Sequence, residues 1–323
     1  MKIGMIDLDR KNDSKPFPNV PLMKLSAWHK SNGDQVEWYD DFEEEYDRVY
    51  VSKVFSFSPD FPGEINAKEV VCGGSGFAIE VVNGKEIYHK EKDQPLPPEV
   101  EQMYPDYDLY GITDTAYGFI TRGCPRGCDF CHVKEMQGSK PYPVAKLSDF
   151  WRGQKNIVLL DPNITAYRGW KDVFQQLIDS GANVDFSQGL DIRCMTEEKA
   201  EMLKNIKVKN VHFAWDRYED GKFIMPRLEK FREITGWARS KVSVYVLVNF
   251  DTTFEQDMER IMKIRSLNFQ PYVMRYNKQA IKRGSELNAL ARRVNFVPLF
   301  WKYETFDDYK RECTKGGRRK SGC

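Results

Sequence analysis

Three cysteines, Cys124, Cys128 and Cys131, stand in a C-x3-C-x2-C array within the run from Gly118 to His132. Gly123, Pro125 and Gly127 around the first two break any regular helix or strand, so the segment reads as a loop able to wrap closely around a bound group. Iron–sulfur clusters are held by thiolates presented from short loops of this sort. Two plainer readings compete. A structural zinc site wants four ligands, and the nearest fourth candidate is His132, directly behind Cys131 and awkward to bring round. Three unrelated buried thiols are disfavoured by the tight spacing. The cluster reading is preferred.

With Phe130 immediately before the last cysteine, the loop resembles that of the radical S-adenosylmethionine (SAM) superfamily. The resemblance implies that Cys124, Cys128 and Cys131 bind three irons of a [4Fe–4S] cluster, that SAM occupies the fourth, and that Phe130 lies near its adenine. It implies reductive cleavage of SAM to a 5′-deoxyadenosyl radical, with the electron supplied by a reductant such as flavodoxin or ferredoxin. It also implies a partial (β/α)6 TIM-type barrel, with the cluster loop after the first strand.

The elements that must position such a loop follow from periodicity. Strand patterns fall at Tyr117–Thr121, Asn156–Leu160, Asn183–Ser187, Asn210–Trp215, Ser243–Asn249 and Tyr272–Arg275, with helical patterns at Trp170–Ser180, Thr196–Ile206, Lys222–Ala238 and Thr253–Leu267. The last opens on the capping-box match Thr253-Phe254-Glu255-Gln256. This alternation implies a parallel sheet whose site lies beyond the carboxyl ends of its strands. Asp161, with Asn163 beside it, follows the second strand, where the family places an acidic motif facing the SAM ammonium. After the third strand, Arg193 is a candidate for a bidentate hold on the SAM carboxylate and Gln188 for its ribose. Asp216 and Asn249 end the fourth and fifth strands. For all of these the plainer role is a helix cap or ion pair. Asp191 reads as a cap or a partner for Arg193, Trp215 as core or mouth lining, and Cys194 as a buried thiol. Met274, Arg275 and Tyr276 end the sixth strand, where substrate pockets often lie.

Ahead of this region, Lys2–Leu8, Val36–Tyr39, Arg48–Val54 and Glu69–Cys72 read as strands and Val20–Lys30 as a helix. This is the pattern of a smaller Rossmann-like α/β domain, similar to the cobalamin-binding domain many radical SAM enzymes carry. The family's histidine is missing from the loop 9–15, and His29 reads as a surface residue of the helix, so cobalamin is disfavoured and the domain reads as a degenerate relative. Gly73, Gly74 and Gly76 read as a tight turn needing positive φ rather than a phosphate cradle. Asn83-Gly84 between two strand-like runs is a hairpin signal. The charged, proline-rich stretch 90–108 reads as a linker packing across the next domain. The expected domains are 1–112, 113–282 and a C-terminal helical extension with a basic tail, 283–323.

The chain has 323 residues, 30% charged and 41% hydrophobic, with a net charge of +1, an ordinary soluble balance with no general attraction to nucleic acid or membrane. Seven cysteines, an odd number with three crowded together, suit a reducing cytoplasm better than a disulfide framework. The apolar run at Met1–Asp7 is too short for a signal peptide, and no run approaches a membrane span. Ser285–Val294 reads as a helix, Phe296–Trp301 as an apolar run and 306–313 as a short amphipathic stretch. The tail 314–323 reads as solvated, with nucleic-acid contact the sharper alternative. The expected activity is therefore that of a radical SAM enzyme acting on RNA, a peptide or a small metabolite. The alternative is a non-catalytic zinc or iron–sulfur module that binds nucleic acid or senses redox state.

Overall fold

The computed structural model describes residues 1–10, 17–83, 85–278 and 281–305. Cys313, Cys323, the stretch 306–313, the basic tail, Gly84 and most of the histidine-free loop after the first strand lie outside the described residues. The chain is a mixed α/β protein with parallel sheets, divided into two compact units, Met1–Ser187 and Gln188–Cys323.

The first unit opens on a four-stranded parallel sheet in the order β2-β1-β3-β4, with β1 at Lys2–Asp7, β2 at Gln35–Trp38, β3 at Arg48–Ser52 and β4 at Val70–Gly73. Helix α1, Val20–Ser31, connects the first two strands. Its start is set by Asn19, whose Oδ1 accepts from Leu22 N at 3.1 Å, the side-chain cap that exposed helix N–H groups need. Alternation along β1 sends Ile3 and Met5 against Leu22, Leu25 and Val100, while Ile6 packs with Tyr46, Val49 and Val51 on the other side. Both faces of the sheet are therefore covered.

His29 is a correction: it is buried, not on the surface, because α1 lays that face on the sheet. Its Nδ1 meets Asp34 Oδ2 at 2.6 Å and its Nε2 meets Tyr50 Oη at 3.0 Å. Of the three glycines after Cys72, Gly74 alone has the positive φ of the tight-turn reading, and Gly76 lies inside the helical turn α2, Ser75–Ala78. A Cβ on Gly74, at φ 101°, would lie 2.4 Å from Lys53 O. The hairpin forms as β5, Ile79–Val82, antiparallel to β6, Lys85–Tyr88, with Asn83 at φ 51°.

The stretch expected to be a linker carries the short helix α3, Pro98–Glu101, and packs against both neighbours. Tyr110 donates to Asp7 Oδ2 at 2.6 Å, while Tyr107 donates to Phe150 O at 2.7 Å and accepts from Tyr117 N at 3.0 Å.

The rest of the first unit holds the parallel strands β7, Thr115–Gly118, β10, Asn156–Leu159, and β11, Asn183–Phe186, with β10 central. Between β7 and β10 lie the two-residue strands β8, Thr121–Arg122, and β9, Tyr142–Pro143, and the short helix α4, Val133–Gln137. Helix α5, Trp170–Ser180, leads into β11 and ends at Gly181, φ 61°.

The strand expected over 117–121 is shifted and divided. It ends at Gly118, where a Cβ would fall 2.4 Å from the Phe150 ring. The N–H groups of Ile120 and Thr121 turn to the Asp161 carboxylate instead of a neighbouring strand.

The second unit has the three-stranded parallel sheet β13-β14-β15, Val211–Ala214, Val242–Val248 and Gln270–Arg275, with a two-residue strand β12, Lys207–Val208, before it. Helices α6 (Glu197–Asn205), α7 (Gly221–Thr235) and α8 (Phe254–Ser266) alternate with these strands. Thr253 and Gln256 form the expected capping box on α8. Val242, Val244, Val246 and Val248 of β14 all point into the core, and Phe213 meets Phe231 edge to face at 4.9 Å. Helix α9, Glu286–Asn295, is followed by α10, Val297–Lys302, so the apolar run at 296–301 is helical. Among the described residues no helix is long and apolar enough to cross a membrane.

Candidate metal centre

The cysteine loop is tied off at its neck. Strands β8 and β9 pair antiparallel, Thr121 opposite Pro143 and Arg122 opposite Tyr142, and Cys124 N donates to Gly138 O at 3.1 Å. Gly123 sits at φ 87°, and a Cβ there would lie 2.5 Å from Lys140 O. Only glycine lets the outgoing and returning strands approach this closely. Gln137 Oε1 accepts from Gly123 N at 3.3 Å, and Cys131 N donates to Cys128 O at 3.0 Å. Cys124 and Cys128 are half-buried and Cys131 is exposed; Phe130 beside it is half-buried. His132 Nδ1 lies 2.8 Å from Glu135 Oε2 on α4, which engages its ring locally.

The residues after β10 brace this loop. Asp161 is 3% exposed, and its Oδ1 accepts from Thr121 N at 2.5 Å and Thr121 Oγ1 at 2.6 Å, while both oxygens lie 3.2 Å from Ile120 N. Burial raises its pKa against the pull of those hydrogen bonds. The carboxylate expected to face an ammonium is thus engaged by the backbone leading into the cysteines. Asn163 is also buried. Its Oδ1 accepts from Ala166 N at 3.2 Å and Thr165 Oγ1 at 2.9 Å, which orients Nδ2 toward Cys124 Sγ at 3.5 Å.

The candidates in the second unit form a separate network. Asp191 Oδ1 accepts from Arg193 N at 3.0 Å and from Arg193 Nε at 2.9 Å, so the cap and ion-pair readings of Asp191 both hold. Arg193 Nη1 also meets Asp220 Oδ2 at 3.0 Å. The guanidinium expected to grip a ligand carboxylate already serves two side-chain carboxylates. Burial, partly offset by Arg193 and Arg260, pushes the Asp216 carboxyl up to about 6. Gln188 is exposed. Asn249 adopts φ 66° and donates to Tyr276 O at 3.2 Å, tethering the ends of β14 and β15. Asparagine is among the few residues that tolerate that conformation. Cys194 is half-buried, with Sγ 3.7 Å from Asp191 Oδ2, rather than fully buried. Trp215 is core, its Nε1 donating to Arg217 O at 2.9 Å.

Sequence reasoning missed two residues. Thr121 supplies its hydroxyl as well as its N–H to Asp161. Arg260 is fully buried on α8 and donates to Trp215 O at 2.7 Å, Asp216 O at 2.6 Å and Leu247 O at 2.7 Å, locking the ends of β13 and β14. Its one sequence-level signal is a charge on the apolar face of a helical pattern, beside Ile261 and Ile264.

The donor set of the loop suits iron and sulfide: three thiols on one tied-off segment, one of them receiving an amide N–H, the kind of contact that tunes cluster potentials. Among the described residues no three His, Cys, Asp or Glu side chains are grouped as a metal site needs. No known protein-family model matches the chain, and no curated protein does. Fold and site together define a mixed α/β protein, built on parallel sheets, with a braced cysteine loop following one strand.

Proposed function

We propose that the chain is a radical SAM enzyme, with Cys124, Cys128 and Cys131 as the protein ligands of a [4Fe–4S] cluster. The observation that carries this reading is the Asn163 amide directed at Cys124 Sγ, 3.5 Å away, in a loop whose neck is held by Asp161 and Gly123. A buried amide N–H beside a sulfur favours the thiolate that iron requires. A [4Fe–4S] cluster held by Cys124, Cys128 and Cys131 would supply the one-electron reduction that cleaves SAM to methionine and a 5′-deoxyadenosyl radical. The chain's own part is to hold the loop: Asp161 fixes its first two N–H groups, Gly123 allows its closure, and Asn163 steadies its first sulfur. Phe130 is the residue we assign to the adenine. The alternation of strand and helix through two parallel sheets, one holding β7, β10 and β11 and the other β13, β14 and β15, supports the partial-barrel reading. A flavodoxin or ferredoxin would supply the electron, in a cytoplasmic setting that keeps thiols reduced.

Oxygen-free reconstitution with iron and sulfide, followed by dithionite and SAM, tests the proposal. About four irons and four sulfides per chain, with 5′-deoxyadenosine formed, are expected. Cys128→Ala should form none. Equal turnover by that variant, or a protein that retains one zinc and no labile sulfide, overturns the assignment.

A further inference from the structure

A cavity of about 500 Å³ opens between the end of β15 and helix α9, lined by Arg275, Arg283, Asn288, Arg292 and Asn295 among others. Its size falls in the range of small-ligand sites, roughly 300–1,000 Å³. One helix face supplies much of the wall, since Asn288, Ala291, Arg292 and Asn295 recur at helical spacing.

The framework is fixed by hydrogen bonds. Arg275 Nη1 donates to Asn288 Oδ1, and Asn288 Nδ2 donates to Lys282 O at 2.8 Å. Asn295 clamps the backbone of Val273, accepting from its N at 2.7 Å and donating to its O at 3.0 Å. Arg283 and Arg292 are exposed at the rim, and neither makes an ion pair or side-chain hydrogen bond among the described residues. Among the described residues no carboxylate lines the cavity; Glu286, at the start of α9, is outside it.

Three guanidinium groups around one concavity repel one another until an anion enters. A carboxylate neutralises one charge, whereas a phosphate monoester carries about two and presents the oxygens that guanidinium forks match. We propose that this cavity binds the phosphate group of a small phosphorylated ligand. Arg275 is the preorganised contact and Arg283 and Arg292 close over the anion. This goes beyond the cluster chemistry and does not depend on it, because the arginines are present whether or not iron is bound.

Calorimetric titration of the full chain in low-salt, phosphate-free buffer tests it, with ribose 5-phosphate, adenosine monophosphate, ribose and adenosine as probes. Both phosphorylated compounds should bind with Kd at or below about 1 mM, and both unphosphorylated ones at least tenfold more weakly. Arg283→Ala/Arg292→Ala, whose side chains are exposed and whose circular dichroism should match the parent, should lose at least tenfold. Adenosine monophosphate binding alone would indicate a nucleoside site and sink the idea. So would affinity unchanged in the double variant, or binding confined to an RNA oligonucleotide that competes with neither phosphorylated probe.

Discussion

Asn163 Nδ2 lies 3.5 Å from Cys124 Sγ while its Oδ1 caps the helical turn Ile164–Ala166. One buried amide therefore serves the fold with its acceptor and the candidate ligand with its donor. Asn163→Asp keeps the acceptor and removes the N–H. In reconstituted protein we expect it to lower the cluster midpoint potential by roughly 20–60 mV, the one-electron equivalent of a typical hydrogen bond. The added negative charge acts in the same direction. Asn163→Ala, which loses cap and donor together, should also lower the potential and in addition the melting temperature. A potential unchanged in both variants, with full iron content, would remove Asn163 from any part in tuning.

Asp161 is a brace whose removal strands buried donors. In Asp161→Ala, Ile120 N and Thr121 N lose their acceptor, costing about 2–5 kcal/mol. Urea unfolding should show this as a lower midpoint with little change in slope. Asp161→Asn retains an acceptor oxygen and should fall between the two. An alanine variant as stable as the parent would show the braces to be dispensable.

Gly123→Ala places a methyl group against Lys140 O at a backbone angle alanine resists, at a cost of about 1–3 kcal/mol. Because the strain falls on the neck of the cysteine loop, iron and sulfide uptake should drop more sharply than overall stability does. Elemental analysis beside circular dichroism separates the two effects.

The Asp216 carboxyl titrates at about 6 in the fold and near 3.9 in the unfolded chain. The native state thus binds more protons between these values, and this group's contribution to stability falls as pH rises from about 4 to about 6. The whole effect amounts to up to about 3 kcal/mol. Asp216→Asn removes it, so the stability of the variant relative to the parent should rise across that window and level off above it. Guanidinium unfolding at three pH values reads this directly; a pH-independent difference would refute it.

Arg260 holds three carbonyl oxygens and pairs with Asp257 at 2.5 Å, with no side-chain exposure. Replacing it with methionine leaves those carbonyls and the Asp257 charge buried, costing about 3–5 kcal/mol. A thermal melt that moves by less than a few degrees would contradict this.

Features set by a few adjacent residues were legible in the chain. The glycines around Cys124, the capping box at Thr253 and the hairpin at Asn83 all depend on neighbours within a turn or two, and periodicity marked most strands but not their pairing. What stayed hidden were partnerships across long sequence separations. The Asp161 carboxylate finds Thr121 40 residues away, His29 becomes buried by meeting Tyr50, and Arg193 is claimed by Asp220. A side chain's type sets which bonds it can make. Which partner it meets is decided by how the sheets bring distant residues together, and only the tertiary structure settles that.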